Sequence, residues 1–137
     1  MLSRPEIGYA EARTLVGTVA DRLEAESLGA AVAVVDSHGE LLAFLRTEGC
    51  PLPSIKIAQA KAFTSARERS ESRALGDKAR EEDFPLTNFG EIGYVGWGGG
   101  VPIVVEGEVV GAIGISGLPE SHDMELARWA AGTLGDT

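Results

Sequence analysis

Gly98-Gly99-Gly100-Val101-Pro102-Ile103-Val104-Val105-Glu106-Gly107-Glu108-Val109-Val110-Gly111-Ala112-Ile113-Gly114-Ile115-Ser116-Gly117 is the stretch that decides the fold. Val101–Val105 is a short apolar run rich in β-branched residues, Glu106-Gly107-Glu108 reads as a turn, and Val109–Ser116 reads as a longer strand. Two strands joined by a short glycine-containing loop form a hairpin. Gly111 and Gly114 inside the second strand call for a close neighbour, because glycine weakens a strand unless another backbone must approach it. The glycine triplet precedes a strand and not a helix, so it is not a dinucleotide-binding fingerprint.

Working toward the N-terminus, Ala30–Val35 and Glu40–Arg46 repeat the arrangement around the turn Asp36-Ser37-His38-Gly39. The first of these strands scarcely alternates, so both its faces are expected to be covered. Asp36 is read as the acceptor of an Asx-turn. The rest of the chain reads as helices. The first spans about Ser3 to Leu28, with Ser3 and Glu6 as a capping box and a stripe of Ala12, Leu15, Val16, Val19 and Leu23. The next is capped by Ser54 and carries Ile55, Ala58, Ala62 and Ala66 on one side, with Ile57 and Phe63 flanking. A mixed-charge stretch from Arg67 to Asp83 reads as a solvated face. The last helix is capped by Ser121. Helices alternating with hairpins give an α+β layer arrangement with a partly antiparallel sheet.

Composition narrows the function. With 137 residues the chain fits one domain, 1–137. Its 12 basic and 21 acidic residues leave a net charge of −9, which disfavours nucleic acid and anionic membrane surfaces as partners. The lone cysteine, Cys50, permits no intrachain disulfide. The N-terminus lacks the basic-then-apolar pattern of an export signal, and a cytoplasmic location is expected.

The strings AVAVVDSHGELLAFLR, IKIAQAKAFTSA and GGGVPIVVEGEVVGAIGISG, followed by an acidic residue, Asp123, in the last helix, resemble the GlcG/HbpS-like haem-degrading family. The resemblance spans Leu28 to Ala131. It implies a profilin-like sandwich with a central five-stranded antiparallel sheet and helices on both faces. It also implies a homo-oligomer, often an octamer built from dimers. Some members bind haem or corrinoid-type macrocycles, and some are encoded among catabolic enzymes.

Candidate site residues follow. Lys61, the lysine of the family's I-A-x-x-K-A helix, is a candidate base or anion clamp, since small apolar neighbours desolvate it. His122 is the candidate metal ligand and catalytic imidazole, beside Asp123 at a helix start. Arg46 can take a carboxylate bidentately. Trp97 with Gly99 and Gly100 offers a flat surface and backbone N–H groups to a planar or anionic ligand. Phe63, Ser116 and Asp123 complete the ligand-contact set. Ser116 lacks the nucleophile-elbow spacing. Three functions compete: a haem- or tetrapyrrole-binding oligomer with a pocket near the subunit interface; a small cofactor-independent lyase, isomerase or hydrolase acting on an organic acid or carbonyl compound through Lys61; and a non-enzymatic oligomeric accessory protein.

Overall fold

The computed structural model describes residues 1–135 and has the order α1 (Tyr9–Ala25), β1 (Ala31–Asp36), β2 (Leu41–Arg46), α2 (Ser54–Glu68), α3 (Ser72–Glu81), a 3-10 turn (Leu86–Phe89), β3 (Gly100–Val105), β4 (Glu108–Ser116) and α4 (Glu120–Leu134). Asp136 and Thr137, the end of the expected domain, lie outside the described residues. The two hairpins join through their inner strands, giving the order β2-β1-β4-β3 with every neighbour antiparallel.

The sheet has four strands, so the fifth expected from the family resemblance is absent from it. The N-terminal segment takes up the position beyond the end of β1. β1 runs out opposite Gly111, and one residue further along β4 the Ile7 N–H donates to the Val110 carbonyl at 3.0 Å. Only that one residue pairs, because Glu6 is turned instead to the β1–β2 turn. Its carboxylate accepts the Ser37 hydroxyl at 2.6 Å and the Ser37 backbone N–H. The expected Ser3–Glu6 capping box therefore does not form. The box is built one turn later, with the Gly8 N–H donating to Glu11 at 3.0 Å. Ser54 and Ser121 do not cap either. Both fall inside their helices, behind Pro53 and Pro119.

The sheet separates two different cores. On one face α1 and α4 bury Leu15, Val16, Val19, Leu23 and Leu126 against Val32, Val34, Ile113 and Ile115. On the other, α2 lays Ala58, Ala62 and Ala66 on Ala31, Ala33, Val35 and Ala112. This second layer is built of small side chains, so the helix backbone comes close to the sheet. A Cβ placed on Gly114 would lie 2.1 Å from the Ala58 carbonyl oxygen and 2.7 Å from the Ala62 nitrogen. Gly114, which looks like a defect in β4, is the place where α2 rests, whereas at Gly111 the close neighbours are Ile7 and the Val35 oxygen. At the turn, the Asp36 carboxylate accepts the His38 and Glu40 N–H groups at 2.9 and 3.0 Å, the Asx-turn expected from the sequence.

Gly114→Ala is expected to lift α2 off the sheet and cost about 2 kcal/mol or more, the scale of overpacking a filled core. Gly17→Ala, in mid-α1 with nothing within 4 Å of the added methyl, is expected to stabilise by about 0.5–1 kcal/mol. Urea unfolding of the two variants checks both, and a neutral Gly114→Ala would mean that the contact is looser than described.

Candidate functional site

The close seating of α2 forces one charged side chain into the interior. Lys61 points from α2 past the end of the sheet and is 1% exposed. A buried ammonium needs partners for its donors. Its Nζ donates to the Ile115 carbonyl at 2.8 Å and to Asp123 Oδ2 at 3.2 Å. Above it lies the indole of Trp97, whose centroid is 5.4 Å from Nζ, within cation–π range. Asp123 is equally buried, and its other oxygen accepts the Leu118 N–H at 3.2 Å. Burial drives the Lys61 amine below the ordinary lysine range, with attraction from Asp123 opposing it. Burial likewise lifts the Asp123 carboxyl above the ordinary carboxylate range, with Lys61 and the Leu118 N–H opposing.

The glycine triplet is shaped by this pair. Gly99 has φ +126, and a Cβ there would meet the Ile115 oxygen at 2.5 Å and Lys61 Nζ at 2.9 Å. A Cβ on Gly100 would meet the Lys61 carbonyl oxygen at 2.3 Å. The expected open cradle of N–H groups is not what forms. Gly98 donates to Glu120 Oε2 at 2.7 Å, Gly100 donates to Ser72 Oγ at 2.9 Å, and all three glycines are buried. The missing side chains of Gly99 and Gly100 make room for Lys61 and α2, and that of Gly98 makes room for Met124 on α4, whose sulfur would lie 2.4 Å from an added Cβ.

Trp97 differs from its neighbours in being 53% exposed. It walls an open cleft of about 780 Å³ between α3 and the segment that returns over it, with Phe84 and Leu86 as further apolar wall and Arg73 and Arg80 at the rim. Two backbone contacts hold the cleft's shape. Gly76 on α3 lies so near Gly96 that a Cβ would fall 2.0 Å from the Gly96 oxygen. The Ser72 hydroxyl donates to the Trp97 carbonyl at 2.7 Å. A chain of charges borders Trp97: Asp77 accepts from Arg73 at 2.9 Å, Arg73 donates to Glu120 at 2.8 Å, and Glu120 in turn accepts the Gly98 N–H. Arg80 donates to the same Asp77 oxygen at 2.5 Å.

Of the residues singled out from the sequence, Lys61, Trp97, Gly99, Gly100 and Asp123 come together. Ser116 is buried nearby, its hydroxyl donating to Ser54 Oγ at 3.2 Å, and so faces the protein interior. Phe63 is elsewhere, packed under the Arg67 guanidinium and edge-on to Tyr94, whose phenol is pushed up to about 12 by burial and by Glu68. Arg46 ends β2 beside the connector that holds Cys50, whose thiol burial pushes up. His122 is half-buried and does not line the Trp97 cleft, and His38 is exposed on its turn. Among the described residues no group of three or more His, Cys, Asp or Glu side chains is placed to hold a metal ion. Sequence reasoning passed over Ser72, Arg73, Arg80 and Glu120. The first three lie in the mixed-charge stretch that reads as solvated surface, and only the returning segment turns that surface into a wall.

Comparison with known proteins places this geometry. The family described as haem degrading protein HbpS-like matches residues 7–131. Protein GlcG of Escherichia coli (strain K12) is 33% identical over 129 residues, covering 90% of each chain. A double mutant of Streptomyces reticuli HbpS superposes with a TM-score of 0.87 at 26% identity, over 98% of this chain and 91% of that one. A PduOC:heme complex shares the fold, with a TM-score of 0.83 at 24% identity over 93% of this chain and 94% of that one.

Removing Asp123 alone strands a buried ammonium, so Asp123→Ala is expected to cost about 3–5 kcal/mol. The pH dependence has a definite sign. With the folded Asp123 pKa raised, the folded chain holds that proton to higher pH than the unfolded one. The associated stability is complete below the unfolded carboxylate pKa and is lost as pH rises through the folded value. With the folded Lys61 pKa lowered, stability returns only as pH climbs toward the ordinary lysine value. The stability of the native protein relative to Lys61→Met/Asp123→Asn should therefore fall as pH rises above about 4, the ordinary carboxylate value. Urea melts at rising pH check it, and a difference that grows with pH would reverse the assignment.

Proposed function

We propose, on the premise that the chain belongs to the haem-degrading HbpS-like family, that it binds haem or a related flat, carboxylate-bearing macrocycle in the cleft walled by Trp97. The observation that carries this reading is the exposed indole beside two arginines. The cleft volume of about 780 Å³ is in the range of small-molecule sites. An aromatic face suits a planar π system, and the ring offers stacking area to Trp97 and Phe84. Arg73 and Arg80 present guanidinium groups to the propionate edge, although each already serves Asp77. The fit to haem is a fit to the ring and its carboxylates. Among the described residues no histidine or cysteine lines the cleft, so the ring faces and the propionates supply the binding in this reading. When bound, haem would supply redox chemistry at its iron; the protein's part is to hold and orient the ring and to exclude water from one face.

The alternative enzyme built on Lys61 as base finds less support. Its amine is sealed beneath Trp97 and engaged with Ile115 and Asp123.

Titration with haem and with metal-free protoporphyrin separates ring recognition from iron ligation. Both are expected to bind with similar affinity, to quench Trp97 fluorescence in a Trp129→Phe background, and to be retained by His122→Ala. Trp97→Ala is expected to weaken binding about tenfold or more, roughly 1.4 kcal/mol, and Arg80→Ala to weaken it less. Haem binding that needs the iron, or that survives Trp97→Ala unchanged, rejects this cleft as the site.

A further inference from the structure

We propose, in an inference that rests on the reading of the Trp97 cleft as the ligand site, that the cleft takes hold of one carboxylate and no more: Arg80 receives it, and Asp77 with Asp83 turns a second one away. The rim is not a positive patch. Two bases, Arg73 and Arg80, stand among three acids, Asp77, Asp83 and Glu120. A ligand with two acid groups therefore meets a rim that is net negative, and a chain of net charge −9 adds no attraction from further away. Recognition of an acid here has to come from one well-placed guanidinium.

The two arginines are not equivalent. Arg73 lies between two carboxylates: its Nε donates to Asp77 Oδ1 at 2.9 Å and its Nη1 to Glu120 Oε1 at 2.8 Å. Glu120 is held in turn by the Gly98 N–H at 2.7 Å. Arg73 thus ties α3 to the segment that carries Trp97, and its charge is already matched. Arg80 shares the same Asp77 oxygen through Nη2 alone, at 2.5 Å. Nη2 carries two hydrogens, one on each edge of the guanidinium, so a single bond to Asp77 leaves one edge whole. A carboxylate can take that edge with both of its oxygens. The Arg80 side chain is also 62% exposed, against 39% for Arg73, and can turn to a ligand without stranding a buried partner. Asp83 acts from the other side. It ends α3 at φ +52, a left-handed position usually given to glycine or asparagine. The Phe84 N–H closes the helix there on the Ala79 carbonyl at 2.9 Å. That geometry needs no carboxylate, yet one lines the cleft, and among the described residues no ion pair at the cleft engages it. A ring with two acids can lay one on Arg80 while the other stays in water.

Titration of the full chain with metal-free protoporphyrin, its monomethyl ester and its dimethyl ester tests this. Binding is read as quenching of Trp97 in the Trp129→Phe background, at low ionic strength, where exposed charges are least screened. The diacid and the monoester should bind alike to within about twofold, the advantage of having either acid to offer, and the diester about threefold more weakly, the scale of one exposed ion pair. Arg80→Ala should bring the diacid and the monoester down to the diester. Asp77→Ala/Asp83→Gly frees Arg73 Nε and removes two negative charges, so the diacid should then exceed the monoester by about fivefold or more. Glycine suits the left-handed backbone at position 83, and the double variant should fold as the native chain does. A preference for the diacid well beyond about twofold before the acids are removed, a diester bound as tightly as the monoester, or a double variant that still treats diacid and monoester alike each overturns the one-acid limit while leaving the cleft as the site. Rings that fail to quench Trp97, or that bind Trp97→Ala equally well, reject the cleft itself and the limit with it.

Discussion

The seating of α2 on the sheet is the constraint from which the rest follows. Two helix carbonyls, those of Ala58 and Lys61, face strand positions where only glycine fits, Gly114 and Gly100. A helix held that close cannot send Lys61 to solvent by bending its stem outward. The side chain runs instead past the sheet to the end of β4, and a buried ammonium there requires an acceptor and a counter-charge. Ile115 and Asp123 provide them. The pair thus ties α2, β4 and α4 at one point, and its electrostatic cost is accepted because the small-residue packing has already fixed where the helix lies.

This explains which parts were legible from the sequence. The hairpins were readable because each depends on a local turn and a run of β-branched residues. The α2 packing was readable from Ala58, Ala62 and Ala66 together with glycine in β4. Lys61 and Asp123 could be singled out but not paired, since 62 residues separate them and nothing local marks the contact. The helix starts were misread for the same reason. Ser3 and Glu6 have the spacing of a capping box, yet Glu6 reaches Ser37 across 31 residues. The four-strand sheet was implicit in two hairpins. The fifth strand came from resemblance, and here the N-terminal segment contributes only the Ile7 bond.

The cleft was the least legible feature because no single segment contains it. Arg73 and Arg80 on α3 look like solvent-facing residues with ordinary i,i+3 and i,i+4 partners. They become a rim only because the Gly76–Gly96 contact brings Trp97 back over the helix. Glycine at both positions is the trace that this left in the sequence, and it is ambiguous without coordinates.

Trp97 links the two halves of the site. One face of its indole covers the Lys61 ammonium, while the exposed part of the ring walls the cleft. A cation under one face draws on the same π electrons that a planar ligand would meet on the other. The ring also seals the ion pair: with water excluded, the Lys61–Asp123 attraction acts in a poorly screened interior. A ligand stacked on Trp97 would thicken that seal and leave the pair intact. The buried charges are therefore better understood as what holds the indole in place than as reagents waiting for a substrate.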